Sequence, residues 1–285
     1  MIRLLQSIAR VFDRLQARWE WLTTHRAMGA VFVAVYLAAL GVIELNRLGL
    51  LSGQAAAVVG TSHYGAVNVA FTGLLVVEIL SLVFVLADSV ATSVGKQFEL
   101  FALILLRKAF MAFGAMGEPI EWGRSYEELL VIGADIAGAL LVFFLLGAYY
   151  RLQRHQPIVA GAAERASFIA AKKAVALLLL GAFALLGILE LRDAIGGSAS
   201  WDFFQSFYTL LVFSDILLVL LSLSFNSSFS AVFRNTGFAA ATILLRLALT
   251  APPFFNAVTG LAALLVAIGL TVAYNLFPVE TAGHR

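Results

Sequence analysis

FALILLRKAF, residues 101–110, is an apolar run broken by Arg107 and Lys108. The tetrapeptide ILLR that ends at Arg107 returns at 243–246, where it ends at Arg246 inside another apolar run. A helix in water can leave such an arginine at its surface. A helix in lipid must bury it against protein, because a charge at mid-bilayer costs on the order of 2.5–3.5 kcal/mol on insertion scales. The reading of this stretch therefore depends on which solvent surrounds the chain.

Composition identifies that solvent. Of 285 residues, 61% are hydrophobic and 13% charged, whereas soluble domains run at roughly 45–50% apolar and about 25% charged. Mean hydropathy is +0.94. Apolar runs near 27–46, 66–88, 97–115, 128–150, 171–191, 204–225, 236–251 and 256–276 approach the length of about 20 residues that a bilayer core requires. They predict an all-α integral membrane protein with eight transmembrane helices. The run 236–251 is the shortest and stops at Pro252-Pro253, a pair that cannot continue a helix and that suggests a tight hairpin.

Short cytoplasmic loops collect lysine and arginine. Arg3, Arg10, Arg14, Arg18 and Arg26 precede the first run, and the segment 151–173, from the end of the fourth run to the start of the fifth, holds Arg151, Arg154, Arg165, Lys172 and Lys173. Lys96, Arg234 and Arg285 fall on the same side, against Arg47, Lys108, Arg124 and Arg192 on the other. Both termini are thus expected in the cytoplasm. Residues 2–22 place Ile8, Phe12, Leu15, Trp19 and Leu22 on one helical face without the continuous apolar core of a signal peptide, so 1–26 reads as an amphipathic helix lying on the leaflet.

The ILLR echo belongs to a longer one. FTGLLVVEIL (71–80) aligns with YTLLVFSDIL (208–217), setting Glu78 on Asp215, and GVIELNR (41–47) aligns with GILELRD (187–193), setting Glu44 on Glu190. ALLVFFLLGAYY (139–150) aligns with LLVAIGLTVAYN (264–275), setting Tyr149 on Tyr274. Four spans per unit is an even number, so both units enter the membrane the same way, as a parallel repeat. The expectation is two four-helix bundles, 27–150 and 171–276, joined by a cytoplasmic linker at 151–170 and followed by a tail at 277–285.

Glu44, Glu78, Arg107, Asp135, Glu190, Asp215 and Arg246 form the candidate intramembrane charge cluster. With about 1.5 Å of rise per residue, Glu78 falls about 18 Å below the start of its span and Arg107 about 12 Å below the end of its own. A direct Glu78–Arg107 pair, and its copy Asp215–Arg246, are expected, since an arginine cannot escape by losing its proton. Glu44 and Asp135 are further acceptors, and Gly260 stands where a second Asp135 would align.

An acid in the second span, an arginine late in the third and the first-span acids Glu44 and Glu190 together resemble the phosphate-starvation-inducible E (PsiE-like) family. That resemblance covers both halves and implies small four-span inner-membrane units with no established biochemical activity. The chain departs from the pattern in being duplicated and in carrying aspartate in the second copy. It also reduces the loop between second and third helices to ATSVGKQF (91–98).

Several functions lack their residues. No cysteine is present, and His25, His63, His155 and His284 form no paired metal motif. Gly95-Lys96 lacks the rest of a phosphate-binding loop. A voltage sensor needs several arginines at three-residue spacing, and each helix here has one. The sequence thus predicts no enzyme, cofactor, metal or nucleic-acid partner. It predicts a multi-pass inner-membrane protein in contact with lipid, with a second copy or another membrane protein as partner. The role is an accessory scaffold, or alternatively a proton or small-ion path through the carboxylates.

Overall fold

Pro252-Pro253 ends one helix and opens the next, as its chemistry requires. Ala251, ahead of the first proline, is extended with ψ 149°, the region left to a residue before proline. Phe254 then takes φ 67°, and the chain reverses. The expected hairpin is present.

The computed structural model describes residues 2–24, 26–87, 90–115, 126–153, 162–196, 203–225 and 228–276. Among them all regular structure is helical: α1 (Ile2–Thr24), α2 (Arg26–Arg47), α3 (Gln54–Val59), α4 (Tyr64–Val85), α5 (Val90–Ala115), α6 (Tyr126–Leu152), α7 (Ala162–Gly196), α8 (Phe203–Phe225), α9 (Phe229–Thr250) and α10 (Phe255–Leu276). Seven of these, α2, α4 and α6 to α10, are long and apolar enough to cross a membrane. α5 has the length, at 26 residues, but Lys96, Glu99, Arg107 and Lys108 keep it from the apolar class.

Helix starts differ from expectation in three places. α5 and α9 begin at Val90 and Phe229, about two turns ahead of 97 and 236, because polar residues are accepted wherever neighbouring helices meet them. α7 begins at Ala162, inside the segment read as linker; AAERASFIA contains no glycine or proline, and its alanines favour helix. Residues 154–161 of that linker, the tail 277–285 and Asn226-Ser227 lie outside the described residues.

The two halves do not each close a bundle of their own. α2, α4, α5 and α6 pack in a row, each on the next, and so do α7, α8, α9 and α10. The rows then face one another, α5 against α9, α6 against α10 and α4 against α7. One buried cluster is consequently shared by α5, α6, α9 and α10, around Phe98, Phe101, Val142, Tyr149, Phe238 and Leu264. A second joins α4, α7 and α8 with Leu100 and Ile104 of α5. Small residues allow the approach, as between helices in lipid generally. A Cβ at Gly260 of α10 would stand 2.1 Å from the Phe101 ring, and one at Gly138 of α6 would stand 2.6 Å from the Ala257 Cβ.

α1 docks on this assembly, so its apolar face is divided. Phe12 is fully buried, 5.6 Å from the Phe84 ring. Trp19 stacks on Phe84 at 6.0 Å, and its indole N–H donates to Ser81 Oγ at 3.1 Å, as a buried indole requires. Lys173 of α7 pairs with Asp13 at 2.5 Å. Leu15, Trp21 and Leu22 stay exposed.

Candidate functional site: a polar ladder on α5

α5 carries Ser93, Lys96, Gln97, Glu99, Arg107 and Lys108, and it sits where α4, α6, α8 and α9 can meet them. Its side chains point to several neighbours because successive residues are turned by about 100° around a helix. Adjacent Lys96 and Gln97 thus serve different halves of the protein.

Gln97 is 1% exposed and faces the second half. Its Nε2 lies 3.3 Å from both oxygens of Asp215 on α8. Its Oε1 accepts from Arg246 Nη2 of α9 at 2.6 Å. The Arg246 guanidinium also lies 5.4 Å from the centre of the Tyr208 ring, a cation–π contact. Asp215 and Arg246 do come to one place, as expected. The direct bidentate pair is replaced by an amide bridge whose middle member comes from the other half.

Lys96 faces the first half. Its Nζ is 2.8 Å from Glu78 Oε2 and 2.6 Å from Glu99 Oε2, and Tyr150 OH of α6 donates to Glu99 Oε1 at 2.7 Å. The expected Glu78–Arg107 pair is therefore not formed; Lys96 is the cation that Glu78 meets. The cause is the early start of α5. Glu78 lies about 10 Å from the end of α4 and Lys96 about 9 Å from the start of α5, whereas Arg107 is about 25 Å along. Arg107 Nε instead donates to Asn68 Oδ1 near the start of α4, at 3.4 Å.

Asp135 is 2% exposed and accepts from Asn256 Nδ2 of α10 at 2.8 Å. Lys108 of α5 donates to the Leu249 carbonyl at 3.1 Å and is close enough to Asp135 to act on its charge. The Asn256–Asp135 bond again crosses between halves, whereas the sequence made Asp135 a further acceptor for the arginine of its own unit. Tyr149 and Tyr274, aligned in sequence, do different work. Tyr149 donates to the Ala91 carbonyl at 2.8 Å, and Tyr274 lies under the Arg234 guanidinium at 4.4 Å.

Glu44 stands apart from the interior. Its side chain is 52% exposed, 2.5 Å from His63 and 3.6 Å from Arg47, while Asn46 donates to the Ala56 and Gly60 carbonyls and holds α3 beside the end of α2. Glu190 is half-buried near the end of α7 and joins none of these clusters. The seven sequence candidates therefore separate into six places, with only Asp215 and Arg246 sharing one.

Lys96, Gln97, Asn256 and Ser93 were not singled out from the sequence. Glutamine and asparagine carry no charge to mark them in an apolar run. Lys96 lay one residue outside the predicted span. Among the described residues no group of three or more histidine, aspartate or glutamate side chains could hold a metal. In comparisons with family profiles, with curated proteins and with solved structures, the chain matches none.

Proposed function

We propose that this chain is a non-enzymatic membrane scaffold, an accessory protein of PsiE-like type made by duplication of a four-span unit. α5 serves as the eighth span, shielded from lipid by its neighbours. The observation that carries the reading is Gln97: one uncharged side chain of the first half holds Asp215 and Arg246 of the second. Such a contact fixes how two rows of helices sit, which is the best-attested use of a buried polar group. The lysine and arginine distribution supports a multi-pass topology in the inner membrane with both termini cytoplasmic. Lipid is the surrounding partner, with a second copy or another membrane protein beyond it.

A second reading is a proton or small-ion path. It is favoured by carboxylates on four apolar or partly apolar helices, Glu78 of α4, Glu99 of α5, Asp135 of α6 and Asp215 of α8.

Purified protein in liposomes separates the two. The scaffold predicts proton and potassium flux no greater than that of protein-free liposomes, with Gln97→Leu lowering the melting temperature. Flux in the wild type that vanishes in a folded Asp215→Asn variant would replace the scaffold by the path. The absence of cysteine makes single-cysteine variants at the exposed Ser7 and Thr61 clean topology reporters. In cells, Ser7 should label from the cytoplasmic side only and Thr61 from the opposite side only.

A further inference from the structure

α5, α8 and α9, with Leu86 beyond the end of α4, line a partly open cavity of about 20 Å³ beside Asp215, which Ser93, Leu218, Phe238, Ala239 and Thr242 also border. One water needs about 10–15 Å³ of such space and two to four polar partners. Three polar side chains reach this lining. Ser93 is 3% exposed, and its Oγ has no hydrogen-bond partner among the described residues. Asp215 meets Gln97 by long contacts, 3.3 Å to each oxygen, with the Thr242 hydroxyl also beside it, and a carboxylate that can accept about four bonds keeps lone pairs free. Thr242 donates to the Ala239 carbonyl at 2.8 Å and keeps an acceptor position. A buried hydroxyl without a partner is costly, and the three groups supply both a donor and acceptors.

We propose that this cavity is a binding site for one structural water, which accepts from Ser93 Oγ and donates to the Asp215 carboxylate. The water forms a second link between α5 and α8, independent of Gln97. It also couples Asp215 to solvent exchange: when the bound water becomes D2O, the hydrogen bond it donates is carried by deuterium and the carboxylate stretch moves, with no bond to Asp215 made or broken. The inference goes beyond the scaffold reading, since a scaffold can be wet or dry at this point.

The test is infrared spectroscopy of the protein in liposomes after transfer from H2O to D2O. The Asp215 band is assigned from the difference between wild type and Asp215→Asn. The wild-type band should shift within minutes. Ala239→Leu, which fills the cavity, should slow that shift at least ten-fold. Equal rates in the two, or no shift in the wild type over a day, would overturn the proposal. Where Ala239→Leu does not fold, Ser93→Ala gives the same readout, because it deletes only a hydroxyl that the protein leaves unpaired. An experimental map that resolves waters should show density within hydrogen-bond distance of both Ser93 Oγ and Asp215; its absence there would likewise overturn the proposal.

Discussion

Arg246 of α9 donates to the side-chain carbonyl of Gln97 on α5 across 2.6 Å. The guanidinium keeps its charge at any accessible pH, and its Nε finds no hydrogen-bond partner among the described residues, so this contact is its main polar anchor. Because the two residues belong to different halves of the chain, the buried arginine is tied by tertiary packing rather than by its own half.

Gln97→Leu should therefore destabilise the protein by about 1.5–3 kcal/mol, the range for a hydrogen bond to a charged group. Gln97→Glu would face Asp215 with a second carboxylate and should help Arg246 while harming Asp215. Thermal unfolding in detergent, with Arg246→Gln added to each, separates the two contributions. If Gln97→Leu melts with the wild type, the bridge is not holding the halves.

Lys96 stands between Glu78 and Glu99, and removing it leaves two carboxylates close together. Lys96→Met should cost about 2 kcal/mol, below the usual figure for a buried pair because the site is partly exposed. Glu78→Gln in the Lys96→Met background should recover part of that loss. A double-mutant cycle measures the coupling, and purely additive effects would argue against the pair.

At the crossing of α5 and α10, the Phe101 ring occupies the place of a Gly260 side chain. Gly260→Val should destabilise by about 1–3 kcal/mol through overpacking, and Phe101→Leu should relieve it in the double variant. Gly133 and Gly147 of α6, which meet nothing within 4 Å, should accept alanine without loss of stability.

Phe254 holds φ 67° in the α9–α10 turn, a conformation costing a bulky residue on the order of 1–3 kcal/mol. Phe254→Gly should raise the melting temperature modestly. A fall would mean that its exposed ring matters more to the hairpin than its backbone does.

The shared core also predicts the behaviour of the halves. Residues 1–157 and 158–285, produced as separate chains in one cell, should co-purify, and each produced alone should be degraded. A stable, monodisperse first half on its own would restore the self-contained bundle that the sequence suggested.

Much of this protein was legible before folding was considered. Hydropathy found the helices α2, α4 and α6 to α10, since lipid demands long apolar runs and tolerates little else. Pro252-Pro253 set the last hairpin through local sterics alone. The charged residues at depth were also visible, because each is expensive where it stands. Their partners were not. Matching Glu78 with Arg107 required the true start of α5, and a polar helix start is accepted only where neighbours satisfy it. Gln97 and Asn256 have no charge to betray them, and their bonds run to residues more than a hundred positions away. Sequence alone determined the solvent, the helices and the presence of buried charge. Which charge meets which group was decided by tertiary structure, because pairing depends on how the two rows face each other, and that is set by packing at residues such as Gly138 and Gly260.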